Sequence, residues 1–346
     1  MMHCLVKRAG SVFNAAVPMA LIFLAACATS SDKSAWQRFE FNEPEMGVNF
    51  GLKFYARDKS AARRAAKEAY DRIEVLNAIF SDYNPNSELN RLTHQPVGRP
   101  VKVSAELFAI LQLAQSLSLE TNGAFDVTAG PYTRLWRQAR RQRKLADPTL
   151  LKQVAQSVGH EKLQLKDEFH TVTCLAPNMR LDLGGIAKGW AADEALSVLR
   201  KHGINRSLCA ASGDIAIGDP PPEKEGWEVG VRALDIHGNF YNRTLSLRNC
   251  AVSTSGDTIQ FIEIGGQRYS HIVNPRMGLG LTNRIMVNVV ADKAVETDSQ
   301  ATVISVLGAQ KGMAYAKKNG IAVIITPMHG RNQTVRTSPQ WQERFR

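Results

Sequence analysis

The run Arg180-Leu-Asp-Leu-Gly-Gly-Ile-Ala-Lys-Gly-Trp190 constrains this chain more than any other stretch of it. Two adjacent glycines at the entry to a helix let the backbone come close to a ligand, and a helix start presents free N–H groups and a positive dipole end. The pattern predicts a short strand over 180–183, a turn at Gly184 and Gly185, and a helix over 186–202 with Ala187, Ala191, Ala195 and Leu199 on one side. Around the turn, Lys188 offers a point charge for an anion and Asp182 an acceptor for a hydroxyl or amine. The carbonyls near Gly185 offer oxygens to a hard cation. A Gly-Gly pair before a helix is equally an ordinary strand-to-helix turn, so the run gains meaning only beside other motifs.

The first residues bear on location. Lys7 and Arg8 precede an apolar run from about Val12 to Ala26, short and interrupted by Asn14 and Pro18, which reads as a secretory signal rather than a spanning helix. Its end, Leu24-Ala-Ala-Cys27, resembles the bacterial lipoprotein lipobox, which implies a lipidated Cys27 at the mature N-terminus. An ordinary signal peptide cut near Ala26 is the alternative. The expected division is a signal peptide over 1–26, a lipidated cysteine and tether over 27–36, one large domain over 37–328, and a polar, frayed tail over 329–346. The expected place is beyond the cytoplasmic membrane, lipid-anchored and facing the periplasm or cell exterior.

The formal net charge of +11 stays strongly positive once Lys7 and Arg8 leave, and much of it sits in Arg134-Leu-Trp-Arg-Gln-Ala-Arg-Arg-Gln-Arg-Lys144. By their spacing these basic positions are expected to ring a helix, and no aromatic stacking platform is interleaved. That argues for a solvated helix and against nucleic acid. Such a surface also suits anionic lipid headgroups. Beyond Cys4 and Cys27 only Cys174, Cys209 and Cys250 remain, too few and too widely spaced for a disulfide framework or a zinc site.

Alternation of elements points to an α/β or α+β fold, and the strand series to mostly antiparallel sheet with packed helices. A strand is expected over 46–55. Ala66, Tyr70, Ile73, Leu76 and Phe80 then recur at helical spacing over 60–81. A polar loop over 82–94 leads to a helix from Ser104, a loop over 123–131 to the basic helix, and a further helix spans 148–158. Strands follow at 207–211, 227–231, 241–247, 259–264 and 284–290, then helices over 293–307 and 309–318 and a strand over 321–326.

Several loops carry more polar chemistry than a core demands. In order they are Met46-Gly47, Ser81-Asp-Tyr-Asn-Pro-Asn-Ser-Glu88, Ala124-Phe-Asp126, Asp182-Leu-Gly-Gly-Ile-Ala-Lys-Gly189, Ser212-Gly-Asp214, Ser253-Thr-Ser-Gly-Asp257, His271-Ile-Val-Asn-Pro-Arg-Met-Gly278 and Asp298 with Thr302. That order resembles the FAD:protein FMN transferases, the ApbE family, over about residues 46–307. The resemblance implies the α+β form, as a single large ApbE-like (T-fold-like) domain. It implies that Met46, Tyr83, Ala124, Phe125, Asp126, Asp182, Lys188 and Ile272 line an FAD site, with aromatic and apolar groups for the rings and Lys188 for the pyrophosphate. It further implies Mg²⁺ held by the Gly185 carbonyl, Asp298 and Thr302, and His271 as a base. The chemistry agrees: Asp298 and Thr302 are four apart on a predicted helix and share a face, and a histidine can take a proton from a hydroxyl near neutral pH.

The implied reaction is attack by a client threonine or serine hydroxyl on FAD, leaving FMN on the client and releasing AMP. Implied clients are subunits of membrane-bound redox pumps and extracytoplasmic reductases. A Mg²⁺-dependent FAD pyrophosphatase and a non-catalytic FAD-binding lipoprotein are the rival readings. Three departures from the family pattern bear on them: Asn274 stands where an aspartate is usual, Met277 where a threonine is, and Ser212 where a glycine is.

Overall fold

The structure is a computed structural model that describes residues 35–234, 240–256, 261–328 and 335–345. The signal peptide, Cys27 and most of the tether lie outside the described residues, as do Asp257 and residues 329–334. Along the chain come β1 (Gln37–Glu45), β2 (Val48–Ala56), α1 (Lys59–Phe80), α2 (Glu88–Thr93), β3 (Val101–Lys102), α3 (Ala105–Glu120), α4 (Gly130–Gln142), α5 (Pro148–Ala155), β4 (Leu163–Lys166) and β5 (Thr171–Cys174). Then follow α6 (Ala187–Lys201), β6 (Ser207–Ala211), β7 (Asp214–Ile217), β8 (Trp227–Leu234), β9 (Phe240–Leu247), β10 (Cys250–Gly256), β11 (Phe261–Ile264) and β12 (Gln267–Ser270). The last elements are β13 (Ile285–Ala291), α7 (Ala294–Lys318), β14 (Ala322–Pro327), β15 (Arg336–Thr337) and α8 (Pro339–Arg344).

Eight strands form one sheet in the order β1-β2-β6-β7-β10-β13-β14-β15, every neighbouring pair antiparallel. Side chains alternate across it, as the two-residue strand period requires. In β6, Cys209 and Ala211 face α1 and α6, while Leu208 faces the opposite layer. In β14, Val323 and Ile325 pack on α7, while Ala322 and Ile324 meet Trp227 of the β8–β9 hairpin and Trp341 of α8. Helices therefore cover one face, and a hairpin with a short helix covers the other. A separate cluster joins Tyr132 and Trp136 of α4 to Val273 and the β11–β12 hairpin.

The expected α+β architecture with antiparallel sheet stands, with local corrections. Residues 82–94 are not all loop: the Ser87 hydroxyl accepts the Asn90 N–H at 3.1 Å and caps α2, which buries Leu89 and Leu92. Residues 180–183 form no strand. The start of α4 occupies the place of a neighbour, since a Cβ on Gly130 would lie 2.5 Å from the Arg180 carbonyl oxygen. The tail is not frayed over 335–345, because β15 pairs with β14 and Trp341 is buried. The two helices expected after Lys293 are present: they form the two halves of α7 and meet at Gly308, whose φ of 77° leaves the helical region.

Candidate active site

The site begins where two helix starts meet. Asp193 on α6 accepts the Ala294 and Val295 N–H groups at 2.9 and 3.0 Å, capping α7. Gly189 permits the approach, since a Cβ there would lie 2.2 Å from the Ala294 carbonyl oxygen. One turn into α7, Asp298 is thereby aimed back at α6 and accepts the Gly189 N–H at 3.0 Å. Lys188 Nζ stands 3.4 Å from Asp298 and 3.1 Å from Asp214, and donates to the Gly184 carbonyl at 3.0 Å.

Two carboxylates thus share one ammonium. Burial first, and then the charge of Asp214, push the Asp298 carboxyl up to about 7, with Lys188 and the Gly189 N–H pulling it down. Burial works against the Lys188 charge, but Asp214 and Asp298 outweigh it and hold its pKa above the usual lysine range. The sequence pattern offers Lys188 as a free charge for a pyrophosphate; here its protons already face two carboxylates and a carbonyl. Thr302 lies one turn beyond Asp298. A Cβ on Gly185 would sit 3.1 Å from Thr302 Oγ1 and 3.3 Å from Phe125 Cε2, so Gly185 is pressed between them.

Phe125 and Ala124 are buried, and Asp126 follows them. The Thr128 hydroxyl and N–H both donate to Asp126 Oδ1, at 2.6 and 2.8 Å, while the hydroxyl accepts the Gly159 N–H at 2.7 Å. Desolvation raises the Asp126 carboxyl. The neighbouring Val127 carbonyl accepts the Asp182 N–H at 2.8 Å, which ties this loop to the glycine turn. Asp182 Oδ1 accepts the Gly184 N–H at 2.8 Å and Oδ2 accepts from Arg137 at 3.0 Å. Arg137 also pairs with Asp82 and lies over the ring of Tyr83, its guanidinium carbon 4.2 Å from the centroid. Tyr83 itself is 75% exposed, an aromatic face held open beside the cleft.

His271 and Ile272 leave β12 in a loop fixed against α4. The Trp136 indole donates to the Ser270 carbonyl at 3.1 Å, and Ser270 Oγ accepts the Ile272 N–H at 3.1 Å. Asn274 Oδ1 accepts the Arg276 N–H at 2.9 Å, a bond that needs only a lone pair and not a charge. Arg276 in turn donates to the Asn122 carbonyl at 2.6 Å, joining this loop to the one carrying Phe125. Met277 is largely exposed and Ser212 adopts a φ of 60° in the turn between β6 and β7.

Hydrogen bonds and close contacts thus link Tyr83, the Ala124–Asp126 loop, Asp182, Gly185, Lys188, Asp298 and Thr302, with the His271 loop attached through Arg276. Met46 stands apart from those links and packs on the main core, in a left-handed turn with Gly47 (φ 48° and 76°). Sequence reasoning assigned no role to Asp82, Arg137, Thr128, Asp193 or Asp214. Asp82 and Asp214 lie in polar motifs of the sequence, whereas Arg137 is hidden in a basic run. Cys174, Cys209 and Cys250 are buried free thiols.

A profile of the ApbE family matches residues 46–325. The FAD:protein FMN transferase of Vibrio cholerae is 30% identical over 309 residues, covering 88% of this chain and 90% of that protein. That of Treponema pallidum is 29% identical over 298 residues, covering 81% and 82%. Among solved structures, the flavin transferase ApbE from Vibrio cholerae superposes with a TM-score of 0.82 at 26% identity, covering 90% of this chain and all of that one.

Proposed function

The chain belongs to the ApbE family, and from that premise we propose that it is an FAD:protein FMN transferase. One observation supports it most: Gly185 faces both Phe125, of the expected flavin site, and Thr302, of the expected metal site, across a space too tight for a Cβ, beside the Lys188–Asp298 pair. Ring-binding and phosphate-handling groups therefore share one turn of backbone.

The reaction places FMN on a client protein. The client hydroxyl oxygen forms a bond to the FMN phosphorus, the pyrophosphate bridge to AMP breaks, and AMP departs with the bridging oxygen. Tyr83 and Phe125 are suited to contact flavin or adenine rings, and Asp126 and Asp182, each held by backbone and side-chain donors, to accept from ligand N–H or O–H groups. His271, half-buried at the exit from β12, is suited to take the hydroxyl proton. Such a division is typical of phosphoryl transfer, where position and electrostatics supply most of the rate.

The donor set also fits magnesium. Two buried carboxylates against one ammonium leave a local negative excess, and the Gly185 carbonyl, Asp298 and Thr302 are hard oxygen donors. When bound, the metal supplies positive charge against the pyrophosphate oxygens. Lys188 holds Asp214 and Asp298 in place and limits their mutual repulsion. We further propose a lipid anchor at Cys27, which would set the domain at a membrane surface outside the cytoplasm; among the described residues no helix is long and apolar enough to cross a membrane.

The test is intact mass of a co-incubated client with FAD and Mg²⁺. Covalent FMN on the client with matching AMP release is expected. FMN and AMP without client modification would make the protein a pyrophosphatase, and unchanged FAD a binding protein. Asp298→Ala, with Asp298→Asn as the isosteric check on folding, is expected to keep FAD binding and lose Mg²⁺-dependent transfer. Full transfer in both variants would place the metal elsewhere.

A further inference from the structure

A cleft of about 240 Å³ opens beside Tyr83, lined among others by Asp82, Arg134, Arg137, Arg141 and Arg180. The basic run does not simply ring its helix: positions 134, 137 and 141 recur at i, i+3 and i+7 and share one face of α4. Arg137 is engaged by Asp82 and Asp182. Among the described residues no carboxylate pairs with Arg134, Arg141 or Arg180. Arg134 and Arg141 are exposed and Arg180 is half-buried. Burial, and then the charge of Arg134, push the Arg180 pKa below the usual arginine range, so like charges already crowd this rim.

The cleft is polarised. Asp82 lines it and, with Asp182, flanks Arg137, whereas Arg134, Arg141 and Arg180 at its rim have no carboxylate partner among the described residues. A flat membrane surface does not enter such a concavity, but single side chains of a polypeptide do. We propose that this rim docks an extended, acidic segment of the client protein and so brings the client hydroxyl beside the flavin site. The inference rests on the transferase reading above. Geometry narrows the segment further. Arg134 and Arg141 are seven residues apart on a helix, about 10.5 Å along its axis. A polyproline-II-like chain returns to the same side every three residues, about 9.3 Å on. Acidic residues three apart in the client therefore match the two arginines.

The experiment uses two fluorescent Gly/Ser peptides, each with four glutamates, spaced every third position in one and consecutive in the other. Binding is followed by anisotropy at low salt on the wild type, Arg134→Glu/Arg141→Glu, and an equal-charge control on α1, Arg63→Glu/Arg64→Glu, whose side chains are exposed. The spaced peptide is expected to bind the wild type several-fold more tightly than the consecutive one, and the α4 variant to lose about tenfold or more while the control loses less than threefold. Equal losses in both variants would mean attraction to net charge alone and overturn the docking site. Loss of FAD affinity in the α4 variant would assign the rim to FAD instead. Unchanged peptide binding with lost flotation on phosphatidylglycerol vesicles would assign it to lipid. Peptide binding is read without turnover, so failure of transfer to any client refutes the transferase reading separately.

Discussion

Replacing Arg137 by Met tests whether one guanidinium organises the flavin side of the site. Arg137 bridges Asp82 and Asp182, with the three side chains 28%, 17% and 12% exposed, and covers the ring of Tyr83. Removing one partner of a buried pair costs about 3–5 kcal/mol, and partial exposure here reduces that to about 2–4 kcal/mol. At about 2 °C per kcal/mol for a domain of this size, the melting temperature should fall by roughly 4–8 °C at pH 8. Loss of the contact with Tyr83, worth about 0.5–1 kcal/mol at an exposed ring, should weaken FAD two- to fivefold. The pH dependence is specific. Asp82 is held up at about 6, first by burial and then by the charge of Asp182, and Arg137 pulls it down. Without Arg137 its pKa rises further. A carboxyl whose folded pKa exceeds its unfolded value stabilises the fold as pH falls through the folded pKa, because the folded form binds the proton more tightly. The deficit of Arg137→Met should therefore be largest at pH 8 and shrink toward pH 5. Arg137→Met/Asp82→Asn should recover half or more of it, since the repulsion between two carboxylates is gone. Thermal melts across this pH range and flavin fluorescence titration decide the matter. A melting temperature within about 1 °C of wild type at pH 8, or a deficit that grows on acidification, would refute the electrostatic argument.

Other outcomes follow from single contacts. His271→Ala should slow single-turnover transfer at saturating FAD and Mg²⁺ on the order of 10²- to 10⁴-fold with FAD affinity little changed; a rate within a few-fold of wild type would return His271 to a structural role. Asn274→Ala removes the acceptor for the Arg276 N–H and should cost about 0.5–1.5 kcal/mol, whereas Asn274→Asp keeps that acceptor and should melt like wild type; equal melting of both variants would show that the bond does not hold the loop. Cys27→Ala should move the protein from the detergent phase to the aqueous phase while leaving its activity intact, and a wild type already aqueous and without acyl mass would remove the anchor.

What could be read in the sequence divides along physical lines. Helices with one apolar stripe, such as α1 with Ala66, Tyr70, Ile73 and Leu76, announce themselves because one face is buried and the other is wet. β10 did not. Its run Cys250-Ala-Val-Ser-Thr-Ser looks like a polar loop, yet Ser253 Oγ lies 2.7 Å from the Thr297 hydroxyl, Ser305 Oγ donates to Ser255 Oγ at 3.2 Å, and the Thr254 hydroxyl donates to Asn288 Oδ1 at 2.7 Å, so α7 and β13 satisfy its hydroxyls. Such a partner, tens of residues away, leaves no local trace. The same holds for the site. Asp298 and Thr302 are legible as a helical pair, but the partnership of Lys188 with Asp214 and Asp298 exists only once β7, α6 and α7 converge. β1 escaped notice for another reason: it is an edge strand with charged and polar residues along its outer side, as exposed edges require.

The departures from the family pattern fall where the structure asks least of a side chain. Asn274 contributes an amide oxygen to a turn, a task that either an amide or a carboxylate can perform. Met277 points its side chain outward, so a hydroxyl there is not needed to hold the loop. Ser212 bears a left-handed φ that a glycine would adopt without strain, at a cost of about 1–2 kcal/mol that tight pairing of β6 with β7 can absorb. Asp298 and Lys188 admit no such exchange. Replacing Lys188 leaves two buried carboxylates with no ammonium between them, replacing Asp298 strips an acceptor from Lys188 and from the Gly189 N–H, and Gly185 and Gly189 cannot gain a Cβ without meeting Thr302 or the start of α7. Substitution is thus tolerated where a lone pair or an outward direction suffices. It is costly where one ammonium holds two carboxylates, so the proposed placement of the chemistry at the meeting of α6 and α7 predicts a larger loss of transfer from changes there than from changes in the loop that follows His271.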